Sequence, residues 1–404
     1  MKILFYNHTG KVSGAERVLL MILAGLDRGR FDTVMLCPAD GQLSLMAERA
    51  GVRTEGIQSL DARFTMRPDR LAKYVASFAR LIRAARAVVI HEAPDVVHAN
   101  SVRAALVMSA ATLGLGLPVI WHVHDLLPRH PLSSFIRLVA CIFRNNRVIG
   151  VSQAVVQRFE GRLRRFFRRR VTTIHNAVDK QRFRPDPQSR NETRRELGLE
   201  GKIVIGIVGQ LTPRKGQLEL IEAFGEMSRS VPDTVLLVVG EPIFNRDEEY
   251  ATTLEREAQR LGVANRIRFL GAREDVPGIM RALDLLVVNS SLEPFGLTVI
   301  EAMASGTPVL ATAVDGISEI VRHGENGWLI EARERRSLVE GLFTLVRDRQ
   351  LRVALAESGG RDVIAHFSVQ RFLNEIEAVY RDTRARLGQS AAHARKLRTE
   401  LSVD

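Results

Sequence analysis

The sequence predicts an α/β protein made of two doubly wound domains in tandem, and three observations carry that expectation. Short β-branched or aliphatic runs alternate with longer amphipathic stretches along almost the whole chain, the pattern of parallel strands covered by helices. The alternation stops between Asn176 and Leu199, where Arg184-Pro185-Asp186-Pro187 and the polar residues after it read as an interdomain linker, and then it restarts. A length of 404 residues fits two domains better than one, and 46% hydrophobic with 26% charged residues is enough for a large core and excludes global disorder.

In the first half, strands are expected at 2–7, 33–37, 52–57, 95–98, 118–123, 147–151 and 171–175, with helices in most of the intervals. The opening run from Met1 to Asn7 is shorter than the ~7 to 15 apolar residues of a signal-peptide core, so it reads as the first strand. The longest helical stretch is Asp69 to Ile90, with Leu71, Val75, Phe78, Leu81 and Ile82 at helical spacing. Ala104 to Trp121 carries no charge and reaches the ~18 residues that raise the question of a membrane span. Gly114, Gly116 and Pro118 interrupt it, and a helix to Leu113, a turn and a buried strand account for it better.

The second half gives strands at Ile203–Val208, Val235–Val239, Ile267–Leu270, Leu285–Val288 and Pro308–Leu310. The expected domains are 1–182 and 183–367, followed by a crossover helix at 368–387 with Phe372, Ile376, Val379 and Tyr380 on one face. Residues 388–404 are poor in apolar side chains and are expected to fray. Cys37 and Cys141 lie far apart with no CxxC or Cys/His cluster, which favours a reducing, cytoplasmic setting and argues against structural zinc.

The net charge of +12 is unevenly placed: residues 1–182 hold 28 Lys/Arg against 13 Asp/Glu, and residues 183–404 hold 30 against 33. The basic first half implies an anionic partner there: a membrane surface, a lipid pyrophosphate or nucleic acid. Its densest part is Arg162 to Arg170, where Arg162, Arg164, Arg165, Arg168, Arg169 and Arg170 surround Leu163, Phe166 and Phe167. Such a basic and aromatic patch suits an anionic headgroup layer, at the inner face of a membrane. No recognised nucleic-acid motif accompanies it, and nucleic acid is not expected as a partner.

The densest chemical signal is the block from Ser290 to Val309, SSLEPFGLTVIEAMASGTPV. It follows the strand Leu285–Val288 and opens a helix near Gly296 that ends by Gly306, which places it in the crevice beyond the carboxyl ends of parallel strands, where ligands bind. Free N–H groups of Phe295, Gly296 and Leu297 at that helix start would make an anion site, aided by the macrodipole. Glu293 and Glu301 stand eight residues apart; even in a continuous helix that is a rise of about 12 Å and a turn about 80° past two full turns. They do not form one acid/base pair, but they suit opposite ends of a ligand as long as a nucleotide-sugar.

Glu293 through Glu301 matches the E-x7-E signature of retaining GT-B glycosyltransferases, and the region from Phe269-Leu270-Gly271 to Asn326-Gly327-Trp328 resembles glycosyltransferase family 4. The resemblance spans nearly the entire chain. It extends to Val208-Gly209-Gln210-Leu211-Thr212-Pro213-Arg214-Lys215-Gly216, where a glycine turn and a lysine at the next helix start suit a diphosphate. Gln210 stands where the family has an arginine; Lys215 carries over, and Arg214 either supplies the missing charge or points to solvent. Ser13-Gly14-Ala15-Glu16 resembles the family's Gly-Gly-Ala-Glu loop, with Gly14 approaching donor phosphate or acceptor and Glu16 supporting the loop. It lacks the three-glycine dinucleotide fingerprint. His124-Asp125 matches the family's His-Asp at a strand end, with the histidine near the transferred sugar, and strand alternation sends His122 to the same side as His124. Two further departures are Ala177 for a glycine in Asn176-Ala177-Val178-Asp179 and Ile317 for a glycine in Gly316-Ile317-Ser318-Glu319.

The resemblance implies a GT-B fold, two Rossmann-like domains facing a central cleft with the last helix returning to the first domain. It implies a metal-independent, retaining hexosyltransferase without cofactor. A UDP- or GDP-sugar would lie mainly on the second domain, and a glycan or lipid-linked acceptor on the first. Glu293, Lys215 and His124 are the expected catalytic groups, acting by electrostatics and positioning. Glu301 would bind the donor ribose, and Arg214, Gln210, Phe295, Gly296, Leu297 and Gly14 its phosphates. A related nucleotide-sugar epimerase and an inactive membrane-surface adaptor are the competing readings.

Overall fold

The structure, a computed structural model, describes residues 1–59, 68–143, 145–167, 170–242 and 247–400, with the side chains of 68–74 and 387–400 set aside. The chain forms two compact units: Met1–His175 together with the chain from Val369, and Asn176–Ser368.

In the first unit, β1 (Lys2–Tyr6), β2 (Asp32–Cys37), β3 (Arg53–Gly56), β4 (Val96–Ala99), β5 (Val119–Val123), β6 (Arg147–Gly150) and β7 (Val171–Thr173) form one parallel sheet among the described residues. Its order is β3-β2-β1-β4-β5-β6-β7. Ile3 to Tyr6 and Val119 to Trp121 have no exposed surface, because helices cover both faces of the sheet. Those helices are α1 (Gly14–Gly25), α2 (Gln42–Arg49), α3 (Pro68–Glu92), α4 (Val102–Ala111), α5 (Pro131–Ile142) and α6 (Gln153–Glu160), the last running into a 3-10 turn at Gly161–Phe166. The uncharged stretch resolves into α4, the Gly114–Gly116 turn and β5, and among the described residues no helix is long and apolar enough to cross a membrane.

The second unit begins with α7 (Pro187–Glu196), inside the segment expected to be a linker. Its polar sequence misleads because its arginines are structural: Arg190 and Arg194 both pair with Asp284, and Arg194 Nε also donates to the Ala282 carbonyl at 2.9 Å. The unit boundary accordingly falls at His175/Asn176 and not at 182/183. Arg281 donates to the carbonyls of Arg182 and Arg184 and fastens that stretch to the second unit.

The elements that follow are β8 (Ile203–Val208), α8 (Gln217–Met227), β9 (Thr234–Val239), α9 (Glu248–Arg260), β10 (Ile267–Gly271), α10 (Val276–Ala282), β11 (Leu285–Val288), α11 (Leu297–Ala304), β12 (Val309–Thr312), β13 (Trp328–Ile330), α12 (Arg335–Arg347) and α13 (Arg349–His366). The sheet order β10-β9-β8-β11-β12-β13 reverses between β8 and β11, as the first sheet's does between β1 and β4. Each reversal is a switch point, where the loops leaving two adjacent strands part and open a crevice.

The final helix, α14 (Val369–Glu400), packs on the first unit through Phe372, Ile376 and Tyr380, all without exposed surface. Gly25 lets it approach: a Cβ there would lie 2.4 Å from Leu373 Cδ1. Arg30–Glu377 at 3.1 Å and Arg147–Asp382 at 3.2 Å flank the contact. The helix continues to Glu400, past the end expected near 387, because its later residues are mostly good helix formers such as Ala, Arg and Leu.

Candidate active site

At the switch point of the second unit, the loops after β8 and β11 are laced together. Gly216 has φ 71°, and a Cβ there would sit 2.2 Å from the Asn289 carbonyl oxygen, so the close approach requires glycine. Asn289 Nδ2 donates to Gly216 O at 3.1 Å, Ser291 N to Arg214 O at 2.9 Å, and Arg214 Nη1 to Leu292 O at 2.8 Å. These bonds bring Lys215 Nζ to 2.5 Å from Glu293 Oε2, which also accepts from Ser290 Oγ at 3.2 Å. A third loop closes on them: Glu293 N donates to Asp315 Oδ2 at 3.3 Å and Gly316 N to Glu293 O at 3.1 Å. Asp315 holds φ 38°, a strained value for a residue with a side chain. A Cβ on Gly316 would lie 2.4 Å from Pro294 O, which explains glycine there, while Ile317 is wholly buried and fills core at the position that departs from the family.

Gly296, at φ 111°, turns the chain into α11, so the first-turn N–H groups of Leu297 and Thr298 have no helical carbonyl to bond. Phe295 is buried with its ring 5.9 Å from that of Phe367 and anchors the turn. Glu301 stands half-buried on α11. The sequence left Arg214 two roles; its guanidinium braces the Leu292 carbonyl. Gln210 donates to Asp247 Oδ2 at 3.1 Å while its carbonyl accepts from Gln217 Nε2 at 2.8 Å. Gln217 and Asp247 are nearly fully buried, and neither stands in a motif that marks it in the sequence.

At the switch point of the first unit, the polar groups that end the strands form a continuous network. His124 Nε2 is 3.0 Å from Asn100 Oδ1, and Asn100 Nδ2 donates to Asn7 Oδ1 at 3.2 Å and to Ala15 O at 3.3 Å. That orientation makes Asn100 Oδ1 the acceptor, so His124 carries its proton on Nε2. Asn7 Nδ2 donates to Glu16 Oε1 at 3.2 Å, and Glu16 Oε2 accepts from Ser13 N at 3.0 Å and Ser13 Oγ at 2.5 Å. This capping box sets the start of α1, where Gly14 is exposed as the first helical residue. Ala177 has no positive φ, so its substitution for glycine imposes no strain.

Behind His124 lies a set of buried groups from distant parts of the chain, brought together only by the fold. His122, its ring centroid 4.2 Å from that of His124, has Nδ1 3.2 Å from His98 Nε2, and His98 Nδ1 is 2.9 Å from the Tyr380 hydroxyl on α14. Burial pushes His98 and His124 down to about 3 and holds His122 well below the ordinary histidine value, so all three are neutral. His122 Nε2 is buried without a hydrogen-bond partner.

In the basic segment, Arg164, Arg165 and Phe166 are exposed, and Arg168 and Arg169 lie outside the described residues. Phe167 does not belong to that surface. It is 1% exposed, with its ring 5.5 Å from Phe159, because the 3-10 turn rotates it under the chain into the core.

The chain matches two family models in succession, Glycosyltransferase Family 4 over residues 12–182 and Glycosyl transferases group 1 over residues 189–362. Among solved structures, Anabaena Alr3699/HepE in complex with UDP superposes with a TM-score of 0.79 at 30% identity, covering 95% of this chain and 100% of that one. Lipopolysaccharide core biosynthesis glycosyltransferase LpsE of Rhizobium meliloti is 27% identical over 89% of this chain and 94% of its own length. The Escherichia coli UDP-Gal:alpha-D-GlcNAc-diphosphoundecaprenol alpha-1,3-galactosyltransferase is 23% identical over 92% and 94%. Two sheets of Rossmann type, each reversing at a crevice, and matches that run from one unit through the other lead to one conclusion: this chain belongs to the GT-B glycosyltransferases, with a family 4 first half and a group 1 second half.

Proposed function

We propose that the protein is a retaining, metal-independent hexosyltransferase that moves a sugar from a UDP- or GDP-linked donor to a glycan or lipid-linked acceptor in polysaccharide or glycoconjugate synthesis. The observation that carries this reading is the Lys215–Glu293 pair held at 2.5 Å beside the start of α11. A departing nucleoside diphosphate gains negative charge as the glycosidic bond breaks. An ammonium and free helix N–H groups are the donors that stabilise charge developing at that point. Glu293 holds the ammonium in place, and Glu301 accepts hydrogen bonds from the donor ribose. On the first unit, His124, fixed by Asn100, faces the transferred sugar, and the strand ends around it receive the acceptor. The HepE complex with UDP and the lipid-linked acceptor of the E. coli relative support a UDP donor and a lipid-linked acceptor.

A panel of UDP-, GDP- and ADP-sugars tests the donor: the right one raises the melting temperature, since a ligand that binds only the folded state stabilises it. Transfer to an acceptor, with the anomeric configuration of the product read by NMR, separates a retaining transferase from an inverting one and from an epimerase, which returns free isomerised nucleotide-sugar. Glu301→Ala is expected to weaken nucleoside diphosphate binding about 10- to 100-fold, the loss of charge-assisted hydrogen bonds, with the fold intact. Unchanged nucleotide affinity by calorimetry would remove Glu301 from the ribose.

A further inference from the structure

We infer that α5 is a membrane-insertion element, whose exposed apolar face enters the surface of an anionic lipid bilayer. Leu132, Phe135, Leu138 and Ile142 are 45%, 56%, 52% and 63% exposed, and at 100° per residue they occupy one face about 120° wide. The opposite face, with Ser133, Ile136 and Ala140, is buried against the protein. A surface helix ordinarily turns polar residues to water, whereas α5 is apolar on both sides.

The neighbourhood selects the occupant by charge. Arg170 donates to the carbonyls of Ala140, Cys141 and Phe143 at 3.4 Å each and to that of Phe166 at 2.7 Å. Arg137 ties α5 to the end of α6 through Phe159 O and Arg158 O, both at 2.8 Å. The apolar face is therefore fixed beside the segment that exposes Arg162, Arg164, Arg165 and the half-exposed Phe166. An apolar ridge with a cationic border matches acyl chains beneath anionic headgroups, where insertion and attraction act together.

The surface also lies close to the candidate acceptor residue. Six residues separate His124 from the start of α5, and they are fixed by buried Leu126 and Leu127 and by Ser133 Oγ donating to Pro128 O at 2.7 Å. Insertion of α5 would hold that strand end near headgroup level, where the sugar of a lipid-linked acceptor stands. This deepens the proposed acceptor assignment and rests on it for its purpose, though not for lipid binding itself.

Flotation of the full chain with vesicles of phosphatidylcholine and phosphatidylglycerol, and with phosphatidylcholine alone, tests it. The wild type is expected to bind the anionic vesicles. The triple variant Phe135→Ser, Leu138→Ser, Ile142→Ser should partition at least ~30-fold less while keeping the nucleotide-induced rise in melting temperature. Phe135→Trp adds a reading independent of the triple variant's folding, an emission shifted to the blue and quenched by brominated acyl chains. Undiminished binding of a folded triple variant, or an indole unquenched by those chains, overturns the proposal. So does a wild type that ignores lipid and forms a dimer that the triple variant dissolves, since the face would then join two copies of the chain. Vesicle binding without any nucleotide response would instead sink the transferase reading and leave the insertion surface standing.

Discussion

Lys215→Ala is expected to lower kcat by about 10²- to 10³-fold, the scale on which loss of one preorganised charge at a developing anion acts. Lys215 sits on the short 3-10 turn Pro213–Lys215, and its ammonium is held by Glu293 in a geometry built by Gly216 and Asn289. A preformed charge needs no reorganisation when the leaving group departs, so the loss falls on turnover more than on donor binding. The variant also leaves Glu293, 9% exposed, with only Ser290 Oγ on its Oε2 among the hydrogen bonds described above, at a cost of about 1 to 3 kcal/mol. Lys215→Ala combined with Glu293→Gln should recover much of that stability and none of the turnover. Steady-state kinetics and thermal melts of the single and double variants separate the two effects. A rise in KM with kcat intact would make Lys215 a ground-state anchor of the donor.

The first unit is expected to lose stability steeply below pH 6.5. His98 and His122 have no exposed surface and hold folded-state values far below the ordinary one, so as pH falls the unfolded chain takes up protons that the folded chain refuses. Each histidine then removes about 1.4 kcal/mol per pH unit, beginning near the unfolded value of about 6.5 and, for His98, continuing to about 3. The groups facing them are Tyr380, His98 and His122 themselves, and His124, none of which supplies a compensating anion. The carboxylate Glu92, held down at about 2 by Arg53 and Lys2, acts with the same sign but only below its ordinary value of 4.5, so the histidine slope is read above that pH, before Glu92 adds to it. Urea melts at pH 7, 6 and 5 measure the slope, with buried Trp121 reporting on this unit in a Trp328→Phe background. His98→Gln should flatten the slope by about one histidine's share. A midpoint independent of pH across that range would mean that the buried cluster is charged or hydrated.

All twelve strands expected from the sequence are present, because a parallel strand covered on both faces is a bare apolar run such as Ile203–Val208. The edge strand β13 has three residues, too few to show a pattern. Polarity concealed α7, whose arginines are spent on Asp284 and on carbonyls, interactions that a hydrophobic period does not register. Lys215 and Glu293 stood out in the sequence because each lies in a dense local motif. The supports of His124 did not, since Asn7 and Asn100 are 93 residues apart and Tyr380 and His98 are 282 apart. Phe166 and Phe167 are adjacent, and only the rotation of the 3-10 turn decides that one faces water and the other the core.

The placement of α14 has a consequence for biosynthesis. Its helix is translated after every strand of both sheets, yet Phe372, Ile376 and Tyr380 complete a core whose other walls, Phe5, Phe31 and His98, are made before β5. The nascent first unit must therefore leave the ribosome with that wall open, while residues 176–368 are continuous and close without waiting for α14. During that interval the uncovered wall is the surface a chaperone would bind. A chain stopped at residue 368 would expose it permanently, and is expected to be captured or aggregate even though every strand of both sheets has been made.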